Sequence, residues 1–587
     1  VLAGIAITTA LTGCETQPLA TPTIHASPDD WRSDWAVRRG YSVSRDASGF
    51  TLPTAIAFVP TPGKGPKDPL YFVAELHGAV KVVTNDRTVL TFAQDFFRLD
   101  SVEAYGIFPS LELGMGGICL DPTSGYVFVT FIYHDGKKIL RNNIARFSTA
   151  PGTFATVPNA TRLFSDVLSG YPSGISHQIG QCQVSGGRLF VGIGDGNLSS
   201  QSQSLGSPLG KILRMTLDGA PAIGNPFYRN ANRNTITNYI WAYGLRNPFG
   251  LRAIGDRLMA SDNGVDIDRL VDVRRGHNYL WDGNDRSIAT NAFLLLVPGR
   301  GVAHMDIVDH NESIAGSGDH LQIMQVVSGD TEQLSEERRP QIMEIGYSLA
   351  TRTATSVPRT LLRYQGNTLQ TLIGVAKGPD GLYFTAMFPD RSDSTFVYRI
   401  AFSPEQEYPF LLENNQAPAV LIREYGCLGC HSLYGSASGR RGPVLDRDSL
   451  ISGLRARLEN DRYRRAMALL DTSTTEPFVS TRPWRAEVAA AVGRAKLRTW
   501  VEFHVREPKF DNPNAQMPNL AVSADHAADI AEYLIGRDSI PLSLSNPQVE
   551  LGIDPEGRKP LSGVAIALIA IIAGAMITGI VLRRSWR

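Results

Sequence analysis

The sequence predicts a multidomain chain: an all-β propeller of six blades, an all-α domain after it, and a single C-terminal transmembrane helix. Three observations carry this. A turn followed by a short apolar strand recurs from residue 70 to residue 385. From about residue 417, β-branched runs give way to Ala, Arg, Leu and Glu at helical spacing. Residues 561–582 contain no charge. The 587 residues balance 57 Lys+Arg against 57 Asp+Glu, which removes net charge as a reason to expect nucleic acid as a partner. Charged residues are only 19%, with 55 Gly and 35 Pro, which suits turn-rich β structure and not a coiled coil or a disordered chain.

Residues 1–14 are small or apolar and end in Leu11-Thr12-Gly13-Cys14. An apolar stretch running into small residues reads as an export signal. The tetrad resembles the bacterial lipobox, which implies lipidation at Cys14. A short buried or membrane helix with an incidental Cys is the alternative. Residues 15–53 form a polar, Pro-rich leader.

The propeller is expected over residues 54–405. Its repeated strands are Leu70-Tyr71-Phe72-Val73, Tyr126-Val127-Phe128-Val129, Arg188-Leu189-Phe190-Val191, Arg257-Leu258-Met259-Ala260 and Leu382-Tyr383-Phe384-Thr385. Each follows turn formers such as Asp-Pro, Ser-Gly, Gly-Gly or Pro379-Asp380-Gly381. Their spacing gives blades of about 55–70 residues, with one illegible blade in the gap after residue 260. Five related hairpin units fit a radial β repeat better than a sandwich. Cys119 and Cys182 lie in this part, and an exported chain permits a disulfide, but sequence alone leaves their pairing open.

The helical domain spans residues 417–540, with helices expected over 449–470, 485–505 and 524–534. It opens on Cys427-Leu428-Gly429-Cys430-His431. C-x-x-C-H is the attachment signature of haem c: two thiols add to the vinyl groups and the adjacent imidazole takes an axial iron position. A redox dithiol or half a zinc site is the alternative, but no second C-x-x-C is present. A linker, residues 541–560, leads to the span at 561–582. Its 22 uncharged residues are long enough to cross a hydrocarbon core of about 30 Å. Arg583, Arg584 and Arg587 follow it, so the C-terminus is expected in the cytoplasm. The chain is then held in a bacterial inner membrane by this helix and an N-terminal lipid, its bulk on the periplasmic side.

Around the haem motif the sequence resembles class I cytochrome c. Arg441-Gly442-Pro443-Val444-Leu445 is similar to the loop whose Pro carbonyl orients the axial His, and Gln516-Met517-Pro518-Asn519-Leu520 to the loop of the sixth ligand. The resemblance implies His431 and Met517 as iron ligands, with Met/His ligation raising the reduction potential. Met517 as a core residue is the alternative. The 86 positions from His431 to Met517 are more than compact members use.

Residues 50–405 resemble the pyrroloquinoline quinone (PQQ)-dependent glucose/sorbosone dehydrogenases. The motifs are Glu112-Leu113-Gly114-Met115-Gly116-Gly117, Ser176-His177-Gln178-Ile179-Gly180, Gly192-Ile193-Gly194-Asp195-Gly196, Leu209-Gly210-Lys211 and Tyr243-Gly244-Leu245-Arg246-Asn247-Pro248. Asp262-Asn263-Gly264-Val265-Asp266-Ile267-Asp268 and Gly276-His277-Asn278-Tyr279-Leu280-Trp281 follow in family order. The resemblance implies His177 as general base toward a sugar or alcohol hydroxyl, and Arg246 and Asn247 at the quinone oxygens. It implies calcium on the backbone carbonyls of Gly264 and Val265, and Glu112, Asp195, Asp268 and Tyr279 around the pocket. Departures are Gly180-Gln181-Cys182 where the family has Gly-Arg-Leu, Val265 in place of Pro, and Thr371-Leu372-Ile373-Gly374 where arginines usually face the PQQ carboxylates. Lys377 stands in another register, and Arg352 or Arg359 are the candidate substitutes.

Two functions follow. One is a quinohaemoprotein that oxidises a sugar or other alcohol at PQQ and sends electrons through haem c to a membrane or periplasmic acceptor. The other is a propeller without cofactor, serving with its haem as a scaffold or electron-transfer subunit of a larger respiratory or photosynthetic complex.

Overall fold

The computed structural model describes residues 30–97, 113–155, 159–163, 171–265, 267–284, 292–297, 299–309, 320–329, 339–356, 358–403, 408–412, 418, 421–422, 425–434 and 442–536. The lipobox with Cys14, Glu112 and the uncharged run at 561–582 lie outside them. No helix among the described residues is long and apolar enough to cross a membrane.

Six antiparallel sheets form the propeller. Blade 1 comprises Pro53–Phe58, Pro69–Glu75, Val80–Thr84 and Val89–Ala93, and blade 2 comprises Met115–Asp121, Tyr126–His134, Leu140–Ser148 and Asn159–Leu163. Blade 3 uses Ile179–Ser185, Arg188–Ile193, Lys211–Thr216 and Ile240–Tyr243; blade 4 uses Pro248–Ile254, Arg257–Asp262, Asp268–Asp272 and Leu294–Leu296. Blade 5 runs Val302–Asp309, His320–Val327, Gln341–Ser348 and Arg359–Tyr364, and blade 6 runs Leu372–Gly378, Gly381–Ala386 and Phe396–Phe402. The five strands recognised in the sequence are the second strands of blades 1, 2, 3, 4 and 6.

The leader boundary at residue 53 is corrected. Trp35–Val37 pairs with Arg359–Tyr364 as an extra outer strand of blade 5, and Tyr41–Ser48 pairs with Phe396–Phe402 as the outer strand of blade 6. Alternate exposure made Tyr41–Ser48 read as polar: only Val43 and Ala47 are buried. Trp35 closes the ring, packing edge-on against Tyr364 at 5.1 Å and Phe384 at 5.2 Å. Asp34 is bound by Arg391 at 2.7 Å.

Every innermost strand carries a β-bulge near its start: between Pro53 and Ala55, Met115 and Gly117, Ile179 and Cys182, Pro248 and Gly250, Val302 and Met305, and Leu372 and Val375. A bulge bends the strand and re-aims its side chains. Blades then meet backbone to backbone near the axis. A Cβ on Gly116 would lie 2.2 Å from the Ile179 carbonyl, and one on Gly180 2.4 Å from that of Phe249. Hydroxyls on second strands reach across the same seams, Thr130 to the Gly180 carbonyl at 2.7 Å and Ser261 to the Ala303 carbonyl at 2.7 Å. Cys119 and Cys182, on the inner strands of blades 2 and 3, form a disulfide with Cα atoms 5.6 Å apart. His304 of blade 5 spans the axis, its Nε2 donating to the Gly116 carbonyl of blade 2 at 2.7 Å.

Five α-helices occur among the described residues beyond the propeller: α1 (Arg447–Leu458), α2 (Asp461–Leu470), α3 (Arg482–Ala490), α4 (Gly493–Arg506) and α5 (Ala524–Ile535). Two expected helices are each split. Asn460 caps α2 by accepting from the Arg462 amide, which ends the 449–470 run. Gly493, at φ +59°, breaks the 485–505 run. Leu454, Leu458, Leu497, Trp500, Val501, Ile530 and Leu534 make one core. Buried Asp511 ties the long insert to it, accepting from Arg457, Tyr463 and Trp500 at 2.8–3.1 Å.

Candidate active site

His177 has the left-handed backbone conformation, φ +57°, which a side-chain-bearing residue adopts only when its surroundings impose it. Two glycines make room: a Cβ on Gly194 would fall 2.5 Å from the His177 carbonyl, and one on Gly174 2.2 Å from the Gly196 carbonyl. The loop before blade 3's inner strand is thereby pressed onto the turn after its second strand. That turn carries Asp195. His177 Nδ1 and Asp195 Oδ1 are 2.5 Å apart, and Trp281 Nε1 donates to Oδ2 at 2.8 Å. Burial pushes the Asp195 carboxyl up, but hydrogen bonds from His177, Trp281 and the Asn197 amide outweigh it and hold the group below its ordinary value. An ionised Asp195 fixes the proton on Nδ1 and places the basic lone pair on Nε2.

Arg246 and Asn247 follow in the turn between blades 3 and 4. Both backbone amides donate to Asp262 Oδ1, at 3.0 and 2.7 Å. Asp262 in turn pairs with buried Arg269. Arg246 Nη1 donates to the carbonyl and side chain of Asn263, at 2.9 and 3.0 Å, and its guanidinium lies 5.8 Å from the Trp281 ring. The arginine is thus tied to the dyad through the indole. Asn247 Oδ1 is buried with no partner among the described residues, an acceptor left for a ligand.

The other expected pocket residues are placed differently. Asp268 is fully buried and accepts from the amides of Gly264, Arg300 and Gly301, so it organises the loop instead of facing a ligand. Burial pushes its pKa up to about 6. Val265 is exposed. No group of three or more acidic, His or Cys side chains suited to a metal exists among the described residues. Tyr279 donates to the Asp272 carbonyl at 2.6 Å and lines a cleft of about 1000 Å³ against the helical domain, away from His177. Arg352 and Arg359 line that same cleft. Lys377 is exposed, and Thr371, Leu372 and Ile373 are buried without a cation among them. Trp281, Asp262 and Asn263 are the contributors that motif reading missed, although all three stood inside quoted motifs.

A second cavity, of about 800 Å³, opens in the helical domain and is lined by Cys427, Cys430, His431 and Met517. Neither cysteine is in a disulfide. His431 Nδ1 donates to the Pro443 carbonyl at 2.8 Å, which directs Nε2 into the cavity. Gly442 permits this, because a Cβ there would lie 2.4 Å from the ring. Burial holds His431 below its ordinary value, in the neutral form that ligates metal.

Residues 50–291 match the glucose/sorbosone dehydrogenase family. Within that stretch lie His177, Asp195, Arg246, Asn263 and Trp281. The aldose sugar dehydrogenase of Escherichia coli K12 is 30% identical over 98 residues, 16% of this chain and 26% of its own length. A Synechocystis protein, slr1608, is 28% identical over 198 residues, 31% of this chain and 46% of its own. The chain thus spans about a quarter and about half of these curated relatives. Among solved structures, the PQQ-bound aldose sugar dehydrogenase of Streptomyces coelicolor aligns at 20% identity and TM-score 0.43, over 62% of this chain and 100% of that one. The E. coli apo-enzyme aligns at 16% and 0.44, over 62% and 99%.

Proposed function

We propose that the chain is a membrane-anchored quinohaemoprotein that oxidises a sugar or other alcohol and passes the electrons through haem c to a periplasmic or membrane acceptor. The observation that carries the sugar-oxidising half is the strained His177 held by Asp195, which Trp281 holds in turn, inside a glucose/sorbosone dehydrogenase match. PQQ, when bound, would supply the two-electron acceptor, and a calcium ion, held as the resemblance implies by the Gly264 and Val265 carbonyls, would supply an electrophile. His177 Nε2 takes the hydroxyl proton of the substrate, and Asp195 stabilises the imidazolium so formed. Arg246, held by Asn263 and Trp281, presents fixed positive charge where negative charge develops. The thiols of Cys427 and Cys430 would hold the haem, and His431 and Met517, which line the same cavity, would supply the side-chain ligands to its iron. The Cys119–Cys182 bond is in keeping with an exported chain.

The test uses the purified full chain with PQQ and millimolar calcium. Aldoses are expected to raise the reduced haem band, and His177→Ala to slow that by about 10²–10⁴-fold. A haem stain should survive denaturation and disappear when Cys427 and Cys430 are both replaced. The cation-free start of blade 6 supports a second reading, in which the propeller takes no cofactor and the chain is a scaffolding or electron-transfer subunit. Failure to take up PQQ would select it.

A further inference from the structure

The haem motif is seated on blade 4. Its two cysteines face different cores: Cys427 packs with the helical domain, whereas Cys430 packs on Ile267, Leu295 and Val297 of the propeller. The fit leaves no slack. A Cβ on Gly426 would lie 2.0 Å from the Val297 carbonyl, and one on Gly429 1.9 Å from Val297 Cγ1. Both glycines are therefore required by the propeller surface beneath them. Ile267 belongs to the loop that begins at Asn263, the partner of Arg246, and its carbonyl fills the space a Cβ on Gly264 would occupy, at 1.7 Å. Dense contact runs unbroken from the arginine of the candidate active site to the haem-attachment cysteine.

Resting on the function proposed above, we infer that electrons leave the propeller site through the Asn263–Gly264 turn, Ile267 and Val297 and enter the haem at Cys430. For each substrate oxidised, two electrons cross, each converting ferric iron to ferrous. The two protons go to solvent, one of them by way of His177. An external one-electron acceptor reoxidises the iron after each transfer. Ile267 and Val297 are positioning residues: they hold the two redox sites in packed contact and touch no reacting atom.

The experiment uses the full chain loaded with PQQ and calcium. Val297→Asp puts a charge into the apolar seat, and Val297→Ala thins it without that burden. Aldose-driven haem reduction should fall at least tenfold in Val297→Asp and by a smaller factor in Val297→Ala. Aldose oxidation by a dye that takes electrons directly at the propeller should stay within twofold. Calorimetry on the unloaded chain should show the coupled unfolding of propeller and helical domain separating into two transitions in Val297→Asp. Unchanged haem reduction in a Val297→Asp protein whose transitions have separated overturns the route. Unchanged coupling in that variant overturns the seat. Absence of dye-linked oxidation in the unaltered protein overturns the sugar-oxidising reading instead, while the calorimetric result still decides the docking.

Discussion

At the scale of single residues, the site rests on one carboxylate. Asp195 accepts from an imidazole, an indole and a backbone amide, so its two oxygens have fixed tasks. Asp195→Asn keeps the shape and the Trp281 contact but removes the charge that pins the His177 tautomer. If the chain works as proposed, aldose oxidation should drop about 10²–10⁴-fold with KM little changed, and the extent of dithionite reduction should not change. Because its folded pKa is depressed, the stability Asp195 contributes is present above about pH 4 and fades as acid passes its lowered value. Which residues would gather here was only partly readable. His177, Asp195, Arg246 and Asn247 announced themselves by neighbouring glycines and prolines, which fix loop geometry. Asp268 and Tyr279 lie in equally strong motifs, yet side-chain direction in a loop is set by its hydrogen bonds, and theirs turn inward or toward the helical domain.

Elements show why the blades were legible to differing degrees. Second strands are buried on both faces and follow tight turns, as in Tyr126–His134, so they appear as apolar runs after Gly or Pro. His320–Val327 in blade 5 is interrupted by Gln322 and Gln325. Gln325 is buried because it donates to the carbonyls of Ala303 and Val326, at 3.1 and 2.8 Å, a purpose that hydropathy cannot register. Inner strands hide for another reason: their bulges break the alternation of faces, and their glycines serve the neighbouring blade. Gly180→Ala tests this, since its methyl would meet the blade 4 backbone. A loss of about 1–3 kcal/mol is expected, read as a lower urea midpoint at constant slope.

Across the whole molecule, His304 joins opposite blades through the axis. Burial pushes its pKa down to about 4, so the folded ring favours the neutral imidazole. The unfolded chain takes up a proton near pH 6.5 and the folded one does not, so stability present above pH 6.5 is lost as pH falls toward 4. The loss is about 3 kcal/mol, and His304→Gln, which can still donate to Gly116, should flatten that part of the stability–pH curve. The packing of Gly426 and Gly429 on Val297 of blade 4 likewise belongs to this scale, and no pattern within either domain disclosed it.

The ring is locked by strands that precede blade 1 in sequence and not by those that follow blade 6. Trp35–Val37 and Tyr41–Ser48 are made before any of the blades, yet their partners end at residues 364 and 402. Until those partners are made the early segments must wait, with their own strand edges open to any other extended peptide. Protection of those waiting segments is therefore as much a requirement of this architecture as its glycines, and a chain cut short before the sixth blade yields a sticky horseshoe.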